Sequence, residues 1–217
     1  MCDRRSVSVL ILALLLAVPL SLSADIVPLL DITGGGQAAE PLADAVGGWA
    51  FHIDSPITIA AIGLWDEGKL PLNIAHQVGL WQSDQTLLTV ATIDNTSIPV
   101  ASAFSGGQWL FTEISPLQLQ PGDYVMGAVW GDAIFGADPF RINTVAVTSG
   151  ISYTSACAVF LLPSPELVFP NCGGSSLSVA SFFGPNLAVV TPEPGGVGWL
   201  ACGIVGMVAA MRRRLNL

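Results

Sequence analysis

Positive charge is what this sequence has least of. Arg4 and Arg5 lie near one end and Arg212, Arg213 and Arg214 near the other, so only Lys69 and Arg141 remain between residues 24 and 191. Fourteen Asp and Glu residues share that stretch, which gives it a net charge of about −12. A surface without cations cannot displace counterions from phosphates, so nucleic acid is excluded as a partner. The same imbalance favours solubility and repels acidic polymers. Histidine is scarce as well, with His52 and His76 the only two. No nucleophile elbow, zinc-protease helix or phosphate loop occurs. The run Gly34-Gly35-Gly36 has neither the lysine nor the following helix that a phosphate site needs. No amphipathic helical period appears between residues 24 and 191 either, which points away from a helical domain.

The two ends of the chain read as signals. Arg4 and Arg5 precede an apolar stretch over residues 7–22, and Ser21 and Ser23 stand at −3 and −1 of a cut before Ala24. That is the pattern of a secretory signal peptide over residues 1–23. At the other end, Thr191-Pro192-Glu193-Pro194 is followed by seventeen uncharged residues, 195–211, and then by Arg212-Arg213-Arg214. Seventeen helical residues span roughly 25 Å, slightly less than a hydrocarbon core of about 30 Å. Arginines can snorkel to the headgroups and close the gap. Basic residues stay on the cytoplasmic side, so residues before Pro192 are expected outside.

This tail resembles the PEP-CTERM sorting signal of exported bacterial proteins. The resemblance implies a sorting and transmembrane tail over residues 192–217, with Pro192, Glu193, Pro194, Arg212, Arg213 and Arg214 as its motif. It also implies processing by an exosortase-type membrane enzyme, an inner-membrane-anchored intermediate, and a final place in the cell envelope or outside the cell.

Between the signals lies enough chain for one domain with a real core. Residues 24–45, with Thr33-Gly34-Gly35-Gly36, read as an irregular leading segment. Period-2 alternation then begins. Trp49, Phe51 and Ile53 alternate with Ala50 and His52, and 57–65 is apolar on both faces, the mark of a central strand. Further strands are expected at 76–81, 87–93, 108–114, 124–130, 142–147, 177–183 and 187–190. Gln82-Ser83-Asp84-Gln85 forms a hairpin turn. Residues 157–170 are apolar but hold Pro163, Pro165 and Pro170, so they are partly loop. Eight to ten short strands predict an all-β fold over residues 46–191, an antiparallel β-sandwich of jelly-roll type, with a closed barrel as the rival. The segments Trp49-Ala50-Phe51, 57–66, 76–81 and 119–124 resemble a β-sandwich domain found alongside PEP-CTERM tails, to which the resemblance attaches no biochemical activity.

Cys157 and Cys172 are the only cysteines between residues 24 and 191. In an oxidising compartment such a pair is expected as a disulfide, worth about 3 kcal/mol in the chain-entropy model, with a metal pair or a catalytic thiol as the alternative.

Site chemistry is sparse. Asp66 and His76 flank one loop and are the best candidates for a metal-ligand or acid–base pair. The plainer reading is that Asp66 ends one strand and His76 opens the next. His52 is expected on the solvent face. Asp54, Asp66, Glu67, Asp84, Asp123, Asp132 and Asp138 fall mostly in turns, where carboxylates are candidate calcium ligands. Gly131-Asp132 and Asp138-Pro139 bracket a loop of that kind. No other cofactor is expected. Trp49, Trp65, Trp81, Trp109 and Trp130 are either core or, if exposed in a row, a platform for sugar rings. Asn95-Thr96-Ser97 matches a glycosylation sequon.

Three functions compete. The first is a non-enzymatic surface or matrix protein retained with extracellular polysaccharide. The second is a carbohydrate-binding module. The third is a secreted hydrolase, for which Glu67 and Glu113 are the available carboxylates.

Overall fold

A computed structural model describes residues 24–39, 45–131, 138–160, 166–173 and 182–192. The chain divides into two units, Ile26–Val190 and the pair Met1–Asp25 with Thr191–Leu217. The fold below is that of the first. The signal peptide, and the tail from Glu193 onward, lie outside the described residues.

The described residues are all-β, with no helix. The strands are β1 (Ala24–Pro28), β2 (Leu30–Ala39), β3 (Ala45–Ile53), β4 (Ile57–Glu67), β5 (His76–Gln82), β6 (Leu87–Ile93) and β7 (Ile98–Ala101). They continue with β8 (Gly107–Leu119), β9 (Gly122–Trp130), β10 (Phe140–Thr148), β11 (Ser152–Phe160), β12 (Phe182–Phe183) and β13 (Pro185–Pro192). Three sheets result, in the orders β1-β13-β4-β8-β7, β12-β10-β2 and β11-β3-β9-β5-β6.

The core follows from the alternation. On β3, Trp49, Phe51 and Ile53 point inward with no exposed surface, while Ala50 and His52 are half-buried on the other face. β4 is the middle strand of its sheet and is buried on both faces over most of its length. Trp65 on β4 is the register partner of Trp109 on β8, and the two indoles meet edge to face at 5.0 Å. Such cross-strand aromatic pairs add about 0.5–1.5 kcal/mol beyond the area they bury. Residues from all three sheets join in one hydrophobic cluster. β3 pairs with β9 and β4 with β8, so the segment β3–β4 lies alongside the segment β8–β9 strand for strand.

The leading segment departs from the sequence expectation. β1 and β2 occupy residues 24–39, and Ile26, Leu29, Leu30 and Ile32 enter the core. The glycine run hides this because it breaks the period. Gly35 and Gly36 take φ of 68° and 65°, conformations costly to other residues, yet β2 still pairs with β10 across them. β7 also escaped the pattern. It is four residues long, contains Pro99, and sits at a sheet edge, where a missing amide costs no ladder bond. Of the expected strand 177–183, only Phe182 and Phe183 fall within the described residues.

Register lines up three glycines of the third sheet. Gly48 on β3 stands opposite Gly127 on β9, and Gly127 opposite Gly79 on β5. Three glycines in one row leave a furrow across the strands. The segment 166–173 uses it. A Cβ on Gly127 would come within 3.0 Å of Pro170, and one on Gly79 within 3.0 Å of Leu167. At the far end Cys172 is disulfide-bonded to Cys157 on β11, and the Ala158 amide donates to Asn171 O at 2.9 Å. The expected disulfide therefore pins a strap over the sheet, and Phe169 of that strap meets the edge of Trp81 at 6.0 Å. The bond is consistent with an extracellular or periplasmic location.

Candidate functional site

The loop between β4 and β5 is where the sequence placed its best pair. Asp66 is the penultimate residue of β4 and His76 the first of β5, as expected. The structure gives each a different partner. The Asp66 carboxylate accepts from Gln108 Nε2 at 2.7 Å. His76, 1% exposed, bonds through Nδ1 to Val129 O at 2.8 Å and through Nε2 to Asp138 Oδ2 at 2.8 Å. No hydrogen bond joins Asp66 to His76 among the described residues.

Hydrogen-bond inventory decides how His76 works. Val129 O can only accept, so Nδ1 carries a proton. Asp138 already accepts from the amides of Asn73 (2.9 and 3.0 Å) and Ile74 (3.3 Å). Burial alone would raise the Asp138 carboxyl. The bonds from His76 and from the Asn73 and Ile74 amides, with the attraction of the imidazole charge, outweigh burial and hold it below its ordinary value. The carboxylate is thus an acceptor, and Nε2 donates to it. Both ring nitrogens are occupied, and the Trp130 indole packs against the ring, tilted by 54° at a centroid distance of 5.0 Å. A general base needs a free nitrogen within reach of a substrate proton, and this ring has none.

Asp66 behaves in the opposite way. Burial pushes its carboxyl up, the bonds from Gln108 and the Leu70 amide offset this only in part, and the charges of Asp138 and Glu67 push it further up. Asp66, Glu67 and Asp138 border a cavity of about 370 Å³ with Leu70, Leu72 and Pro139. Asn95 also holds this loop. It accepts from the Leu72 amide at 2.7 Å and donates to Leu72 O at 3.0 Å. The side chain read as a sequon acceptor is therefore a loop clamp.

Glu67 is equally committed. Its carboxylate accepts from Arg141 Nη1 at 2.6 and 2.9 Å and from Trp65 Nε1 at 2.6 Å. Arg141 also donates to Gly35 O at 3.1 Å and lies 4.2 Å over the Phe104 ring. One of the two basic residues of this unit is thus an internal tie among β2, β4 and β10. Glu113 is exposed and far away. Glu67 is in register with Gly107, six residues along β8 from Glu113. At about 3.3 Å per residue that is roughly 20 Å, and paired carboxylates of glycosidases stand roughly 5–10 Å apart.

The remaining candidates resolve similarly. His52 is half-exposed and bonds through Nδ1 to Asp123 Oδ1 at 2.7 Å, with Asp54 at 3.5 Å. Asp84 and Asp94 cap their own turns. Amide bonding from Thr86 lowers the first carboxyl, and the hydroxyl and amide of Thr96 lower the second. No group of three or more His, Cys, Asp or Glu side chains suited to a metal ion occurs among the described residues. Asp132 lies outside them, so the bracketed calcium loop is described only at Gly131, Asp138 and Pro139. Trp49, Trp65, Trp109 and Trp130 are at most 1% exposed and belong to the core, and Trp81, 4% exposed, is buried against Phe169 of the strap, so none of the five is a sugar platform.

Comparison with known proteins gives no matching family model, no match among curated proteins and no match among solved structures.

Proposed function

We propose that this chain is an exported, envelope-sorted surface or matrix protein whose folded part is a non-catalytic β-sandwich of jelly-roll type. The N-terminal signal directs export. The Pro192-Glu193-Pro194 turn, the apolar helix and Arg212 to Arg214 hold the chain in the inner membrane until an exosortase-type enzyme acts. The mature domain then resides in the envelope or outside the cell, among extracellular polysaccharide. The nested pairing of β3–β4 with β8–β9 supports the jelly-roll description.

One observation carries the non-catalytic reading: the groups that chemistry would need are already bound to one another. His76 and Asp138, Glu67 and Arg141, and Asp66 and Gln108 form internal contacts. Enzymes need an acid–base pair together with an electrostatic partner facing one space.

Two comparisons test the proposal. Pro194→Ala should impair processing more than Met211→Leu, because the first alters the recognised turn and the second keeps helix volume. Equal processing of both variants contradicts the sorting role. Glu113→Gln and His52→Ala should leave the biological role intact, and loss of that role in a folded variant contradicts the non-catalytic reading.

A further inference from the structure

A groove of about 410 Å³ runs beside the strap. One wall is the strap itself, with Phe169 and Asn171. The other border is Ser83, Asp123, Thr154 and Ser155. Its chemistry is distinctive. The side chains of Ser83, Thr154, Ser155 and Asn171 make no hydrogen bond among the described residues, so three hydroxyls and one amide have donors and acceptors to offer. Asp123 uses Oδ1 for His52 and keeps Oδ2. Phe169 is half-buried and contributes an aromatic surface.

What the groove lacks narrows the ligand. Among the described residues no lysine or arginine borders it, so phosphate, sulfate and carboxylate groups find no counter-charge there. A single carboxylate is too little for a bare divalent ion, which takes six or more oxygen ligands. Ala50, Phe51, Tyr124 and Val125 also line it, but the hydroxyl, amide and carboxylate groups among them leave no continuous apolar surface for a lipid chain. Uncharged molecules dense in hydroxyls remain. We propose that this groove binds a neutral saccharide, with the C–H face of a sugar ring against Phe169 and its hydroxyls bonded by Asp123, Asn171, Ser83 and Thr154. The proposal rests on the reading that the domain is displayed outside the cytoplasm, where such polymers occur. Because Cys172 is part of the same wall, the groove depends on the disulfide that holds the strap.

The test is calorimetric titration of the purified full chain in a zwitterionic detergent that carries no sugar. Hexamers of β-1,4-glucan, α-1,4-glucan and β-1,4-mannan are the probes, with a polygalacturonate hexamer as the charged control. At least one neutral hexamer should bind at millimolar concentration or below, and the charged one more weakly. Thr154→Ala with Asn171→Ala, two exposed changes that leave core and disulfide untouched, should lower that affinity tenfold or more. Phe169→Ala should do the same, and Glu113→Gln should not. No binding of any neutral hexamer, equal binding by the double variant, or stronger binding of polygalacturonate overturns the proposal. A chain that sorts correctly but binds no sugar refutes only the groove. A chain that binds sugar but ignores its tail refutes only the sorting.

Discussion

The two histidines make nearly the same bond in different surroundings. His52 meets Asp123 at 2.7 Å with its side chain 44% exposed, and His76 meets Asp138 at 2.8 Å with 1% exposed. Distance alone would rank them equal. Burial separates them. Water screens the first pair and competes for its protons, so its net worth is small. The second pair sits against Trp130, and its carboxylate also holds the backbone of Asn73 and Ile74. Removing either member there strands a charge or polar group in a place that water does not reach. The lesson is that a His–Asp contact in this fold serves as a fastener, and its strength comes from where the chain has put it.

The comparison breaks most sharply by truncation. His76→Ala or Asp138→Ala should cost about 3–5 kcal/mol, read as the urea midpoint, whereas His52→Ala should cost about 0.2–1 kcal/mol. Equal losses would mean that burial is not the deciding factor. Trp65→Ala provides a scale from the apolar core and should also cost about 3–5 kcal/mol. Next in size is the strap. Replacing Cys157 and Cys172 by serine should remove about 2–5 kcal/mol and make the 166–173 region sensitive to protease; an unchanged unfolding midpoint and digestion pattern would show that the furrow holds the strap without the bond.

Acid sharpens the contrast between Asp138 and Asp66. The folded Asp138 carboxyl is held low, so its contribution is present above its unfolded pKa, about 3.9, and fades as pH falls through the lower folded value. Asp66 is shifted up, so its relative contribution is full below the unfolded pKa and is lost as pH rises through the folded value. Asp138→Asn should therefore destabilise at pH 7 and matter less in strong acid. Asp66→Asn should be neutral or stabilising at pH 7, within about 1 kcal/mol, with the difference vanishing toward pH 3. Thermal melts from pH 8 down into strong acid, below pH 3, would show both, and the same sign for the two variants at pH 7 would contradict the assignment.

Much of the fold was legible because a half-buried strand writes itself as alternation. Trp49, Phe51 and Ile53, the run 57–65 and the 82–85 turn all announced their places. Cys157 and Cys172 announced each other by being alone. The leading strands were not legible, because Gly34 to Gly36 erase the period that Ile26, Leu30 and Ile32 would have set. The site was only half visible. Asp66 and His76 marked the right loop, but the residues that hold it, Asp138 and Asn95, lie 62 residues from His76 and 23 from Leu72. Nothing local couples such positions. Likewise Gly48, Gly79 and Gly127 are ordinary glycines until register places them in one row.

The central claim is that a signal at each end carries a folded, non-catalytic domain to the envelope. The most direct measurement is fractionation of the producing cells expressing either the full chain or a chain lacking residues 192–217, with the apparent mass of each product followed by immunoblot. The account predicts that both cross the inner membrane, that the full chain passes through a membrane-held form before reaching the envelope or medium, and that the truncated chain ends in a different fraction. If the two share one location and show no difference in processing, the tail is not a sorting device and the account fails.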